Sequence, residues 1–71
     1  MEMNRVSSRT IYSIGFDKQS STLQIRFWSG FTYQYFGVPV SVYESFKLAT
    51  SKGRFYNQHI RGNRYLGRRV S

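Results

Sequence analysis

Residues 22–36 read TLQIRFWSGFTYQYF, and their apolar and polar side chains alternate on both sides of Ser29-Gly30. Alternation with a period of two is typical of β-strands that bury one face. A similar alternation runs through residues 10–16, and residues 17–21 form a short polar connection. Short connections predict an antiparallel meander of three strands, at residues 10–16, 22–28 and 31–36.

The length of the loop around Ser29-Gly30 decides which face of the sheet Tyr33 and Tyr35 occupy. A two-residue turn would place both tyrosines on the outer face beside Arg26, as an aromatic and basic surface. A three-residue loop with Gly30 in the left-handed conformation would place them with the apolar residues of the preceding strand. We favour the three-residue loop because it separates the apolar and polar faces more cleanly. Whether the tyrosine hydroxyls reach a ligand stays open.

Helices are predicted after the sheet. Pro39 suits the start of a helix, with Ser41 as a rival cap, and an amphipathic pattern continues to about residue 50. The segment Thr50-Ser51-Lys52-Gly53 breaks this helix or recaps a second, short one, which Gly62-Asn63 ends. The predicted fold is α+β: a three-stranded antiparallel β-meander packed against one main helix followed by a second short helix.

The chain has 71 residues, which is enough for one domain. We expect a flexible N-terminal segment at residues 1–9, the domain itself at residues 10–66, and a basic C-terminal tail at residues 67–71. There is no cysteine, no secretory signal and no apolar run long enough for a membrane span. These features predict a cytoplasmic protein that does not enter a membrane.

Basic residues dominate the charge, with eleven Lys and Arg against three Asp and Glu, a formal net charge of +8. No acid follows residue 44, so the last third of the chain is predicted to attract a polyanion. The candidate phosphate contacts are Lys52, Arg54, Arg61, Arg64, Arg68 and Arg69. Trp28 is the candidate for stacking on a base, although it could instead fold over Arg26 as a cation–π pair.

The segment at residues 51–54 allows two interpretations. Its cations could reinforce a phosphate site at a helix start, or they could be solvated beside an ordinary helix cap.

Catalytic and metal-binding groups are scarce, because the chain has one histidine, no cysteine and three scattered carboxylates. Catalysis needs groups that act on one another, and a metal site needs several ligands close together. We therefore predict no catalytic residue, no metal and no cofactor. A ribonuclease that uses His59 with Lys52 or Arg61 is a distant third hypothesis.

Several short motifs follow one another between residues 6 and 65: Leu23-x-Ile25-x-Phe27, Gly30, Tyr33-Gln34-Tyr35, Val38-Pro39, Ala49-Thr50-Ser51-Lys52-Gly53 and Asn57-x-x-Ile60-Arg61. In this order they resemble the KTSC domain, which is named for its occurrence at the C-terminus of some lysyl-tRNA synthetases. The resemblance implies that the family's motif residues here are structural: Tyr33, Tyr35, Pro39, Ser51 and Gly53. It also implies RNA binding, through the association with a tRNA-charging enzyme.

The sequence as a whole predicts a small basic non-catalytic domain that binds RNA or another nucleic acid through a C-terminal Lys/Arg surface. The alternative is a protein-interaction module, of phage or bacterial type, that docks on an acidic partner. We expect a monomer or a weak homodimer, because a three-stranded sheet leaves two edges free to pair.

Overall fold

A five-stranded antiparallel sheet forms the centre of the protein. The computed structural model describes residues 1–61 and 64–71. The strands, in chain order, are β1 (Asn4–Arg5), β2 (Ile11–Asp17), β3 (Thr22–Phe27), β4 (Thr32–Phe36) and β5 (Leu66–Arg69). Each strand pairs antiparallel with the next, so the order in the sheet is the order in the chain. The α+β class and the antiparallel meander are confirmed.

The predicted number of three strands is wrong, because two further strands lie at the edges of the sheet. These edge strands, β1 and β5, come from the segment that we expected to be flexible and from the start of the basic tail. All of their residues are exposed, so neither strand has a buried face that an alternating sequence pattern could reveal. They belong to the sheet because their backbone groups pair with β2 and β4.

The loop between β3 and β4 has the predicted three residues. The Phe27 N–H donates to the Phe31 carbonyl at 2.9 Å, and the Gly30 N–H donates to the Phe27 carbonyl at 2.9 Å. Gly30 has a φ of 99°, a conformation that side chains with a Cβ disfavour. This geometry fixes the register of the hairpin.

That register places the two tyrosines on the helix-covered face. Tyr33 lies opposite Ile25, and Tyr35 lies opposite Leu23. Tyr35 is buried and Tyr33 is half-buried, so the outer-face alternative is excluded.

In the described part of the connection between β4 and β5, two helices are present. The first, α1 (Val40–Leu48), begins directly after Pro39, as predicted. The second, α2 (Lys52–Phe55), is capped by Ser51, whose Oγ accepts a hydrogen bond from the Arg54 N–H at 3.3 Å. A π-helical turn at Tyr56–Ile60, called the π turn below, continues α2. The predicted end of this helix at Gly62-Asn63 lies outside the described residues.

The core lies between the sheet and the helices. Its fully buried side chains come from β2, β3, α1, the π turn and the segment between β4 and α1: Ile11, Ile14, Leu23, Ile25, Val38, Phe46 and Ile60. Burying aliphatic and aromatic area of this kind is the main favourable contribution to the stability of a short chain. Among the described residues, no helix is long and apolar enough to cross a membrane.

Candidate nucleic-acid interface

One end of the core opens into a cleft of about 440 Å³, which we call the aromatic cleft. It lies on the helix-covered face of the sheet, between the β3–β4 loop, the π turn and the start of β5. Its lining residues are Phe27, Ser29, Phe31, Tyr33, Tyr35, Tyr56, Arg61, Tyr65 and Gly67. Six of these nine residues are aromatic, one is a cation, and none is acidic.

The aromatic rings of this cleft hold one another in place. Tyr33 stacks on Tyr35 with ring centroids 6.3 Å apart and an interplanar angle of 20°. Tyr56 packs edge-on against Tyr35 at 5.9 Å and against Phe27 at 5.3 Å. Offset stacks and edge-to-face pairs are the arrangements that aromatic rings prefer, so these contacts preorganise the wall of the cleft.

Tyr35 and Tyr56 share a hydrogen bond between their hydroxyl oxygens, which are 2.5 Å apart. Burial raises the pKa of Tyr35 above its ordinary value, the hydrogen bond to Tyr56 raises it further, and nearby Arg61 partly opposes this. Tyr35 therefore stays neutral at physiological pH. One of the two hydroxyl protons is used between the rings, and the other remains to be donated to a ligand.

The π turn brings Arg61 to the cleft. The Arg61 N–H donates to the Tyr56 carbonyl at 2.9 Å, five residues earlier, and Ile60 points into the core. The Arg61 guanidinium donates to the Asn57 Oδ1 at 3.4 Å. Single π-helical turns are frequent at functional sites because the extra residue redirects the side chains that follow it.

Strand β5 closes the side of the cleft. Gly67 lies opposite Tyr35, and a Cβ at this position would be 2.6 Å from the Tyr35 Cδ1, so a larger residue would force the strand or the ring to move. The Arg69 guanidinium lies 4.4 Å from the ring centroid of Phe31, which is 46% exposed. The rim of the aromatic cleft is therefore positively charged.

A second cleft of about 610 Å³ lies between the loop that precedes β2 and the start of α2. We call it the polar cleft. Its lining residues are Ser7, Ser8, Arg9, Thr10, Thr50, Ser51, Lys52, Gly53, Arg54, Asn57 and Gln58. Three of them are cations, none is acidic and none is aromatic, so its chemistry differs from that of the aromatic cleft.

Four of the six predicted phosphate contacts lie at these two clefts. Lys52 and Arg54 line the polar cleft, and Arg61 lines the aromatic cleft with Arg69 on its rim. Asn57 lines the polar cleft and accepts a hydrogen bond from Arg61, so the two clefts adjoin through this pair.

The other two predicted contacts lie elsewhere. Arg64 lines a smaller cleft together with His59, and Arg68 lies opposite Gln34 on the outer face of the sheet. The six cations therefore do not line one cleft. His59 packs against Phe55 with centroids 4.5 Å apart and shares no cleft with Lys52 or Arg61, the partners that a ribonuclease mechanism would need.

Trp28, the predicted stacking residue, is 52% exposed but fixed in position. Its indole N–H donates to the Ser8 carbonyl at 2.8 Å, and its ring packs edge-on against Tyr12 at 4.7 Å. The guanidinium of Arg5 lies over both rings, 4.1 Å from Tyr12 and 5.2 Å from Trp28. The cation–π partner of Trp28 is therefore Arg5 and not Arg26, the partner predicted from the sequence; Arg26 lies over Tyr12 instead.

Several lining residues were not singled out from the sequence: Arg9, Phe31, Tyr56 and Tyr65. Tyr56 directly precedes the Asn57-x-x-Ile60-Arg61 motif, and this position next to the motif is the signal in the sequence that could have indicated its role. Arg9 lies in a polar segment more than 40 residues before Lys52, and only the tertiary fold brings them together.

The described residues form an antiparallel five-stranded meander, with two helices before the last strand and tyrosines at the opening of the core. These features define a class of small α+β domains. The model of the KTSC domain family matches residues 7–65, and the chain belongs to this family. The crystal structure of a KTSC domain protein from Yersinia pestis has a TM-score of 0.92 and 42% sequence identity, over 99% of this chain and 97% of that chain.

Relatives in sequence include a stand-alone protein and a domain-sized segment of a larger enzyme. A protein from Stutzerimonas stutzeri is 35% identical over 65 residues, which are 89% of this chain and 92% of the relative. A lysine–tRNA ligase from Nostoc punctiforme is 42% identical over 52 residues, which are 73% of this chain but 9% of the ligase. The resemblance found in the sequence is confirmed.

Proposed function

We propose that this protein is a non-catalytic domain that binds single-stranded nucleic acid, with RNA as the preferred ligand, at the aromatic cleft. The observation that carries the proposal is the convergence of Arg61 with the tyrosine rings of β4 and the π turn. Aromatic rings beside a guanidinium suit a nucleotide, because the rings can stack on the base and the guanidinium can donate hydrogen bonds to the phosphate.

The volume of the aromatic cleft suits a small ligand such as a nucleobase. Its volume of about 440 Å³ is within the range of roughly 300–1,000 Å³ of small-molecule sites. Stacking of one base on an aromatic side chain contributes about 1–3 kcal/mol to binding. A base inside a duplex is stacked on its neighbours, so the ligand must be a single strand, a loop or an end.

Charge supports the same ligand. The net charge of +8 favours encounter with a polyanion, and Arg61 and Arg69 place part of this charge at the cleft. The related segment in a lysine–tRNA ligase belongs to an enzyme that handles tRNA, which favours RNA over DNA.

The proposal assigns no catalytic role to the described residues. They contain no cluster of three or more His, Cys, Asp or Glu side chains that could hold a metal ion. His59 lies apart from the cations of the two larger clefts.

Fluorescence anisotropy with a labelled single-stranded RNA of ten nucleotides tests the proposal. We expect binding at ~50 mM salt, with log affinity falling against log salt at a slope of roughly −3 if about four phosphates are contacted. Arg61→Gln removes one phosphate contact and should make this slope shallower by about 0.7. Phe31→Ala removes a stacking surface, so it should weaken binding without changing the slope. Lys18→Gln, which removes a charge from the β2–β3 turn, is the control for the loss of charge alone.

Lack of binding to both RNA and DNA at this salt concentration would refute the proposal. So would equal effects of Arg61→Gln and Lys18→Gln, because binding would then depend on net charge and not on the aromatic cleft.

The second candidate function is docking on an acidic protein, and the observation that favours it is the outer edge of β5. This edge has no partner strand among the described residues, and it carries Leu66, which is 78% exposed, next to Arg68 and Arg69. Such an edge can accept a strand of a partner. A stoichiometric complex that survives nuclease treatment and is lost in Leu66→Glu would support this function.

A further inference from the structure

We propose that the polar cleft is a separate site for the phosphate groups of a nucleic-acid backbone, an inference that rests on the proposed function. The aromatic cleft would take a base, and the polar cleft would take the phosphodiester chain of the same strand without reading its sequence. The two clefts adjoin through Asn57 and Arg61, so one strand can contact both.

The side chains of the polar cleft are those that bind phosphate. They comprise five hydroxyls, two carboxamides, two guanidinium groups and one ammonium group, with no carboxylate and no aromatic ring. Hydroxyl, amide and cationic groups are the side chains that contact phosphate oxygens in protein–nucleic acid complexes. The cleft has no aromatic ring, the usual platform for a base, so the proposal assigns it the backbone.

Two segments that are distant in sequence are held together to form this cleft. Ser8 Oγ accepts hydrogen bonds from the N–H groups of Thr10 at 3.2 Å and Ile11 at 3.1 Å, which fixes the loop before β2. Thr10 in turn lies against the start of α2, because a Cβ built on Gly53 would be 3.4 Å from its Oγ1. The cleft is therefore formed before any ligand binds.

The three cations of the cleft line it without an acidic residue among the lining residues. Arg9 comes from the loop, Lys52 and Arg54 come from α2, and none of them forms an ion pair with a described carboxylate. Like charges gathered in this way repel, and a bound phosphate would relieve the repulsion.

The backbone at the start of α2 contributes little to this site. The Arg54 N–H is already bonded to Ser51 Oγ, and the Lys52 ammonium donates to the Ala49 carbonyl, which holds it at the edge of the cleft. Recognition thus falls mainly to Arg9 and Arg54, whose side chains are exposed.

The test uses a ten-unit abasic deoxyribose-phosphate oligomer, which presents the backbone without bases, in a titration of the ¹⁵N-labelled protein at ~50 mM salt. We expect chemical-shift changes at residues 7–10 and 50–54. In the double variant Arg9→Gln/Arg54→Gln, affinity for the oligomer should fall at least about tenfold and the salt slope should fall by about 1.4. Lys52 is left intact because its hydrogen bond stabilises the end of α1.

The matched control is Lys18→Gln/Lys47→Gln, which removes the same charge from exposed positions outside both clefts. The proposal is overturned if the abasic oligomer does not shift residues 7–10 and 50–54, or if the control weakens binding as much as the cleft variant. If the abasic oligomer binds at the polar cleft while base-containing RNA never shifts Tyr33 or Arg61, the phosphate site stands and the proposed base site fails.

Discussion

Tyr35 joins the core to the aromatic cleft, because the residue is 6% exposed while its hydroxyl lies against that of Tyr56. Its raised pKa means that the folded protein keeps this proton at a pH where the unfolded chain, with an ordinary value near 10, loses it. The stabilisation from this group is therefore fully present below pH ~10 and is lost as the pH rises further.

The Tyr35→Phe variant has no hydroxyl to ionise at this position, so its free energy of unfolding should lack this part of the pH dependence. Wild type should lose up to about 1.4 kcal/mol of stability per pH unit above pH ~10 through Tyr35, while the variant loses none through this position. Urea unfolding of both proteins at pH 7, 9 and 10.5 measures the difference. Because the other tyrosines and the lysines are common to both, a difference that stays constant with pH would contradict the assignment.

Gly67 is needed for packing, since a Cβ at this position would enter the ring of Tyr35. Gly67→Ala should destabilise the protein by about 1–3 kcal/mol, the usual cost of overpacking, and should release β5 from β4. Thermal unfolding and amide exchange of residues 66–69 check both effects. Arg68→Ala, on the outer face of the same strand, is the control and should leave stability nearly unchanged. If both variants lose the same amount of stability, the contact between residue 67 and Tyr35 is not the cause of the loss.

Helix α2 and the π turn position one side of both clefts. Ser51 Oγ caps α2, and loss of such a cap costs about 1 kcal/mol. Ser51→Ala should therefore lower the free energy of unfolding by about this amount, whereas Ser45→Ala on the exposed side of α1 should not. Chemical denaturation of the two variants decides the point. Equal stabilities would mean that the hydrogen bond to Arg54 contributes nothing.

The elements that could be predicted from sequence are those with a local cause. The central strands follow from alternation, the hairpin register from Gly30, and the helix starts from Pro39 and Ser51. Strands β1 and β5 could not be predicted, because all their residues are exposed and pairing with a neighbour alone defines them. The π turn has no residue pattern of its own, so the sequence does not predict it. Its consequence, the placement of Arg61 at the aromatic cleft, is visible in the structure.

For the whole molecule, composition predicted a basic binding domain but not the arrangement of its charge. The prediction of one C-terminal Lys/Arg surface rested on sequence position, whereas the fold divides these residues among two large clefts, a small one and the outer face. Arg9 joins Lys52 and Arg54 because β2 brings its preceding loop to α2. Proximity of this kind depends on tertiary structure, which a charge count along the chain does not contain.

NMR mapping with a single-stranded RNA decamer can decide the claim that the aromatic cleft binds an unpaired base. We predict shifts for the signals of Tyr33, Tyr56, Arg61 and Tyr65, with ring-current changes on the tyrosine side chains that stacking requires. Arg68, on the outer face, should be unaffected. Shifts confined to the outer face, or spread over all exposed cations without change at the tyrosines, would contradict the claim.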